Sequence, residues 1–350
     1  MDASLNPSPS MRVARYRSNS DVRVEMADRP LVMDGELLVR VLACGICGSD
    51  VMEWFRVPKS PRILGHEIAG LVEESRSRHF RCGDKVVIRN QVPCGVCQAC
   101  MSGHHSVCEH CDEIQPGGMS EYVRVPERVA ERGVWLLPEG LPFYAASLAE
   151  PLACVIHSHA LAKVEGRKCV VVLGCGVFGL LHIQVAKLAG VQTVIAVESH
   201  PYRRRAAEEV GASEVLDPSE DLQAAVRAAN DGHLADMAII ATGSPQAFEA
   251  ACKGVGRHGA ILLFGMPGPD AAPNLTVNQV FWRRELTLVS SYGPGNVPFS
   301  EPLQLMHSGL INYDRLITHK VPLSQVQRGF DLVSSAGNSL KVVLEMEGSR

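Results

Sequence analysis

Two rhythms of hydrophobic and polar positions divide the chain near residue 150. Ahead of that point lie short runs, MRVARYRS, GELLVRVLA, HEIAGLVEE, DKVVIR and EYVRV, separated by Gly, Pro and charged residues. Period-two alternation puts one set of side chains on one face of a strand, so these runs predict a β-rich unit. Beyond 150, apolar runs alternate with segments of helical period: KCVVVL, VFGLLHIQVAKLAG, TVIAV, PYRRRAAEEVGA, ADMAIIAT, SPQAFEAACKGV, AILLFG and ELTLVSS. Strands covered on both faces by crossover helices read this way, and the pattern predicts a doubly wound parallel sheet. NVPFSEPLQLMHSGLINYDRL predicts a helix and a connection, VPLSQVQRGFDLVSS a helix, and SLKVVLEM a strand. These last pieces are expected to return to the first unit. The fold class is α/β, with a β-rich domain at 11–155 and 296–350, a parallel-sheet domain at 156–295, and a disordered start at 1–10.

Composition narrows the function. A chain of 350 residues suits two cores and needs no disulfide staples. The opening MDASLNPSPS carries no apolar targeting segment, and no uncharged apolar run is long enough to span a bilayer, so a cytoplasmic protein without a membrane partner is expected. A net charge of −4 without a basic stripe argues against nucleic acid and leaves a small molecule as the expected partner. In a reducing compartment the twelve cysteines are thiols or metal ligands.

Five of those cysteines fall in NQVPCGVCQACMSGHHSVCEHC, residues 90–111. Cys94, Cys97, Cys100 and Cys108 read C-x2-C-x2-C-x7-C, which fits a tetrahedral zinc whose four thiolates leave no open position. Such a site is structural. Cys111 is the alternative fourth ligand, and His104, His105 and His110 are expected to be solvated.

The second half carries a dinucleotide signal. LGCGVFG places Gly174, Gly176 and Gly179 in G-x-G-x-x-G after a strand and at the opening of a helix, with Val177 and Phe178 between the glycines. A tight turn there lets a pyrophosphate approach the helix N-terminus. The following strand, TVIAV, ends at Glu198, where a carboxylate would accept hydrogen bonds from the adenine-ribose diol and repel a 2′-phosphate. NAD is expected over NADP. Arg203, Arg204 and Arg205 pull the other way, although a solvated helix face is the ordinary origin of such a run. A second metal candidate lies in ACGICGSD and LGHEIAG, where Cys47, His66 and Glu67 offer a thiolate, an imidazole and a carboxylate. Glu150, in SLAEPLACVIH, is a further carboxylate. Three ligands plus one exchangeable position suit catalytic zinc.

GICGSD, GHE, the cysteine loop, AEPLA and LGCGVFG occur in an order that resembles the zinc-dependent medium-chain alcohol dehydrogenases, in particular their sorbitol and threonine dehydrogenase branch. The resemblance runs over nearly the whole chain from Met11. It implies a GroES-like catalytic domain, a Rossmann domain, and two zinc ions per chain, one catalytic and one structural. It also implies that Cys47 and His66 hold the catalytic zinc with Glu67 or Glu150, the choice between the carboxylates being open. Ser49 stands where the family has a hydroxyl that takes the alcohol proton, and Asp50 where an aspartate supports the zinc-binding histidine. Cys44 matches no ligand position. A homodimer or homotetramer follows from the same likeness, through the edge strand Leu286 to Ser290.

Two departures qualify it. Met52 occupies the place where many relatives carry a proton-relaying histidine, and methionine relays no proton. Gly293 and Pro294 stand where sorbitol dehydrogenases have an arginine and a tyrosine against the polyol, while Tyr292-Gly293 looks more like threonine dehydrogenases. Met52, Trp54 and Phe55 are candidates for the pocket wall. The expected activity is interconversion of a secondary alcohol, such as a polyol or amino polyol, and its ketone. A threonine-like β-hydroxy amine dehydrogenase and a catalytically inactive nucleotide-binding protein are the alternatives, the last opposed by the intact set Cys47, Ser49, His66, Glu67 and Glu150.

Overall fold

The computed structural model describes residues 10–265, 267–273, 277–280 and 282–346. The expected disordered start at 1–10 lies outside this range except for Ser10, which already belongs to a strand, Ser10–Ser18. The chain divides into two compact units. One takes its described residues from Met1–Glu150, Pro298–His307 and Ile317–Arg350, and the other from Pro151–Val297 and Ser308–Leu316. The sequence boundary at 155/156 falls inside the helix Ala149–Ala162, and the connection 308–316 groups with the second unit.

The first unit is built on a seven-stranded sheet. Its order is Val134–Leu136, Lys85–Arg89, Glu67–Ser75, Leu37–Ile46, Lys341–Glu345 and Ile317–Pro322, with Tyr122–Val125 also paired to Leu37–Ile46. The strand Leu37–Ile46 lies between two neighbours and is buried along almost its whole length, which explains its near-continuous apolar run LLVRVLACGI. Register matters more than order here. Gly45 pairs with Glu67 and Ile46 with Val342, so Cys47 just past one strand and His66 just before another emerge at the same end of the sheet. The helix Val326–Ser335 covers a face of this core, where Phe330 meets Tyr16 with ring centroids 5.6 Å apart. Asp21–Asp28, DVRVEMAD, is a further strand that was not predicted above, although its charged and apolar residues alternate from Asp21 to Met26. It pairs antiparallel with Ser10–Ser18, and Glu25 accepts from Arg15 at 2.7 Å and from Arg17 at 2.6 Å.

The second unit is a six-stranded sheet in the order Glu214–Leu216, Thr193–Val197, Cys169–Leu173, Ala235–Ile240, Val255–Leu263 and Thr287–Ser290, parallel at every pairing. Cys169–Leu173 is buried throughout, with the chain winding outward from it in both directions. The carboxyl end of that strand is the topological switch point, the place where open α/β sheets bind ligands. The helices Ala149–Ala162 and Leu222–Ala229 are not singled out by the sequence pattern. Among the described residues no helix is long and apolar enough to cross a membrane.

Candidate metal and dinucleotide sites

Cys47 caps the short 3-10 turn Gly48–Val51 that follows the central strand. Its backbone N–H donates to Asp50 Oδ2 at 3.1 Å, and its Sγ accepts from the Ser49 N–H at 3.5 Å. The turn thereby holds the thiol in place. Asp50 is wholly buried, and its other oxygen, Oδ1, lies 3.7 Å from His66 Nδ1 and accepts from Arg56 Nη2 at 3.1 Å. A carboxylate on one ring nitrogen of a histidine orients the other toward a metal. Burial opposes charge on His66, but the Asp50 carboxylate and the Cys47 sulfur outweigh it, and its pKa stands well above the ordinary value.

The ligand atoms of Cys47, His66 and Glu67 all lie within 4.8 Å of one another. Thiolate, imidazole and carboxylate in that span form a donor set that suits zinc. Glu150 is outside this trio, buried near the start of Ala149–Ala162, and its charge acts on both His66 and Lys341. Glu67 has no solvent exposure, and both of its oxygens accept from Lys341 Nζ at 2.7 Å. The close pairing needs glycine opposite, because a Cβ on Gly45 would overlap Glu67 Oε2.

Two residues here escaped the sequence reading. Lys341 had a signal, a lone lysine inside the apolar run SLKVVLEM. Arg56 had none: it ends the helix Glu53–Arg56 and donates to the Ser49 carbonyl at 2.9 Å and to Ser49 Oγ at 3.2 Å. Met52 joins this helix to the preceding turn, and the Trp54 and Phe55 ring centroids are 5.9 Å apart. Cys44, outside the donor trio, is fully buried in the core.

The cysteine loop forms a second cluster. The Sγ atoms of Cys94, Cys97, Cys100 and Cys108 lie within 4.8 Å of one another. Backbone N–H groups point at the sulfurs: Val96 and Cys97 donate to Cys94 Sγ, and Cys94 and His110 donate to Cys108 Sγ, at 3.2–3.4 Å. Such donors favour thiolates, and those of Cys100 and Glu109 bring the Cys97 pKa down to about 6. Cys111 stays outside the four, its thiol directed at the Cys108 carbonyl 3.7 Å away, and burial pushes its pKa up to about 12.

In the parallel-sheet unit, Gly174 follows Cys169–Leu173 and Gly176 caps the helix Val177–Leu188, so Val177 and Phe178 form its first turn. Gly174 has φ +92°, and a Cβ on Gly179 would overlap the Gly174 carbonyl oxygen, so strand and helix approach this closely only without side chains. Beside Gly176 there is open space. Glu198 directly follows the neighbouring strand Thr193–Val197 and reaches back to the turn, accepting from the Cys175 N–H at 2.8 Å and the His200 N–H at 2.9 Å. Arg203 lies in the first turn of Pro201–Glu209, while Arg204 pairs with Asp217 at 2.7 Å.

A β-rich unit bearing a Cys-His-Glu trio and a four-cysteine loop, with a glycine turn at the switch point of a parallel sheet, defines a two-domain dehydrogenase. Residues 33–138 match the alcohol dehydrogenase GroES-like domain, and residues 177–308 match the zinc-binding dehydrogenase family. Over 90% of this chain and 92% of the relative, the sequence is 31% identical to an L-threonine 3-dehydrogenase of Caldanaerobacter subterraneus. It is 27% identical to a sorbitol dehydrogenase of Bacillus subtilis over 96% of this chain and 97% of the relative. A zinc-binding dehydrogenase of Sinorhizobium meliloti, solved with NADP, superposes with a TM-score of 0.86 at 28% identity, covering 97% of this chain and all of the other. The chain belongs to the zinc-dependent medium-chain alcohol dehydrogenase family, and the GroES-like and Rossmann-type α/β architecture expected from the sequence is the one observed. It is an oxidoreductase of the alcohol dehydrogenase kind, acting on a small molecule.

Proposed function

We propose that the protein interconverts a secondary alcohol and its ketone, using NAD(H) and a zinc ion held by Cys47, His66 and a carboxylate from Glu67 or Glu150, with a second, structural zinc in the Cys94, Cys97, Cys100 and Cys108 loop. The observation that carries this reading is the Cys47–His66–Glu67 donor trio with the Ser49 turn built onto the same thiol. When bound, the zinc supplies a Lewis acid that lowers the pKa of the alcohol, and the nicotinamide accepts the hydride.

The chain's own residues do the rest. Asp50 orients the His66 ring, and the Gly48–Val51 turn orients Cys47. Ser49 takes the alcohol proton while passing its own hydroxyl proton on to the cofactor ribose or to water, since Met52 relays none; its oxygen already accepts from Arg56, which leaves its hydrogen and a second lone pair for these two partners. Gly174, Gly176, Val177, Phe178 and Gly179 seat the pyrophosphate on backbone N–H groups. Glu198 takes the ribose diol and disfavours NADP, with Arg203 as the cation nearest in sequence that would reverse the preference. Polyols and amino polyols are the leading substrate class, supported by the sorbitol dehydrogenase likeness. A β-hydroxy amine of the threonine type is the second, supported by the threonine dehydrogenase likeness and by Tyr292-Gly293. A cytoplasmic location suits twelve free cysteines.

The test is NADH formation against polyols, amino polyols, threonine and simple secondary alcohols, on protein assayed for zinc, with NADP as an alternative cofactor and Cys47→Ala as control. Turnover of one class that disappears in Cys47→Ala is the expected result. Two zinc ions and NAD binding without turnover of any class would instead favour a nucleotide-binding protein or a substrate outside the panel, and Cys47→Ala turning over normally would sink the zinc mechanism.

A further inference from the structure

Lysine is rarely buried without a partner, yet Lys341 is only 3% exposed, in a strand that continues through buried Val342, Val343 and Leu344. Its ammonium donates to both oxygens of Glu67, at 2.7 Å each, and to the Ile46 carbonyl at 3.2 Å. These acceptors match its three N–H groups. One cation is thereby tied both to the carboxylate beside His66 and to the backbone immediately before Cys47. Lys341 joins the two chain segments that carry the candidate ligands.

Each Glu67 oxygen has more than one acceptor direction. With Lys341 on both oxygens, the carboxylate still has an oxygen near enough to Cys47 and His66 to serve a metal there. Turning both oxygens to the metal requires releasing the ammonium. Resting on the reading of Cys47 and His66 as metal ligands, we propose that Lys341 is a positioning residue that restrains Glu67 from closing on the metal and so keeps a coordination position available to the substrate alcohol. A buried lysine–glutamate pair that merely fills a core is replaceable by apolar residues at little loss. This pair differs in being anchored between two ligand-bearing segments, and in leaving Glu67, when Lys341 is removed, as a carboxylate with no solvent and the metal as its nearest cation.

The test follows the metal and not turnover. Full-length wild type, Lys341→Met, Glu67→Gln and the double variant are checked for fold by circular dichroism, exchanged with cobalt(II) for visible spectra, and timed for zinc release to a chelator. In Lys341→Met the cobalt bands are expected to change and zinc release to slow by about tenfold or more, the scale on which outer partners of metal ligands act. The double variant is expected to match Glu67→Gln alone, since no carboxylate remains to restrain. A folded Lys341→Met with wild-type spectrum and release rate overturns the proposal, as does faster release or an equal change in the Glu67→Gln background. If Lys341→Met does not fold, Lys341→Gln decides by the same criteria. A wild type that binds one metal ion, lost in Cys97→Ser and kept in Cys47→Ala, overturns the metal-site reading itself and the inference with it.

Discussion

The Arg56 guanidinium donates to the Ser49 hydroxyl oxygen across 3.2 Å, and the same nitrogen reaches the wholly buried Asp50 carboxylate at 3.1 Å. One arginine thus orients the proposed proton acceptor and balances the carboxylate that faces His66. Arg56→Met is expected to destabilise the fold by about 3 kcal/mol, because Asp50 becomes a buried charge without its cation. The rate should fall by about 100-fold, the lower part of the range for a positioned acid or base. Arg56→Lys should recover most of the stability but not the rate, since an ammonium lacks the fork whose Nε holds the Ser49 carbonyl while Nη2 meets the Ser49 hydroxyl and Asp50. Denaturant midpoints and kcat/KM check both; equal recovery of the two would show that charge alone matters.

The four-cysteine loop makes a separate prediction. Cys100→Ser is expected to remove one zinc ion per chain and leave the other. Clipping a loop of about 15 residues is worth about 3 kcal/mol by chain entropy, so the melting temperature should drop accordingly. Cys111→Ser should change neither zinc content nor stability appreciably, because its thiol faces the Cys108 carbonyl and not the cluster. Metal analysis and thermal denaturation decide. Loss of zinc in Cys111→Ser would assign it a ligand role.

What was legible in the sequence is what lies close along the chain. The glycine turn and the cysteine loop are local, and the candidate chemistry of each can be read from spacing alone: Gly179 is needed for its approach to Gly174, five residues earlier in LGCGVFG. Cys47 and His66 are not local. Strand register brings them together, and the periodicity suggests the strands without fixing which residues pair. Lys341 and Arg56 were missed for the same reason, since each acts on a partner across a sheet or a turn and neither residue type marks a metal site. The strand DVRVEMAD was legible, since Val22, Val24 and Met26 alternate with charged residues, but the run is short of apolar bulk and Met26 is exposed. Glu25 pairs with Arg15 and Arg17 of the neighbouring strand, while Arg23 pairs with Asp21 of its own.

A buried histidine pair in the parallel-sheet unit makes stability depend on acid. His159 Nε2 and His182 Nδ1 are 3.0 Å apart, the rings stack with centroids 5.1 Å apart, and both residues are buried. Burial lowers the His159 pKa to about 4, and burial with the neighbouring ring takes His182 well below its ordinary value. Both are therefore neutral in the fold. An unfolded histidine takes its proton near pH 6.5, so the stabilisation is complete above that pH and is lost as pH falls toward about 4. For His159 this amounts to about 3 kcal/mol over the window. Denaturant titrations at pH 7, 6 and 5 should show the decline, and His159→Leu/His182→Leu should flatten it. An unchanged slope in the double variant would place the acid sensitivity in other groups.

The proposed preference for NAD over NADP rests on Glu198. Its carboxylate accepts from the Cys175 and His200 N–H groups, so it is fixed at the glycine turn before any cofactor arrives. Glu198→Ser removes the acceptor for the ribose diol and the charge that opposes a 2′-phosphate. NAD binding is expected to weaken by about tenfold, the value of one charge-assisted hydrogen bond, while NADP binding holds or improves. Adding Arg203→Ala should reverse only the NADP gain. Fluorescence titration with both reduced cofactors measures each arm, and a constant NAD to NADP ratio across the variants would remove Glu198 from the selectivity argument.

The last strand of the parallel sheet, Thr287–Ser290, pairs with Val255–Leu263 on one side and has no strand on the other among the described residues. Leu288 on it is 46% exposed. An open apolar edge offers its backbone N–H and C=O groups to any other strand, and soluble proteins cover such edges or charge them. This edge carries TLVS, with no charge of its own. Pairing with the same strand of a second copy satisfies the backbone and closes the assembly by twofold symmetry. The protein is therefore expected to be a dimer, or a tetramer if a further surface joins two dimers. The Ser291 N–H donates inward to the Leu263 carbonyl, so the Val289 N–H two residues earlier faces inward too and that of Leu288 faces the open edge. Leu288→Pro removes that outward N–H and should drive the assembly to monomers in sedimentation at micromolar concentration. A wild type that sediments as a monomer would leave the edge uncovered and overturn the assignment.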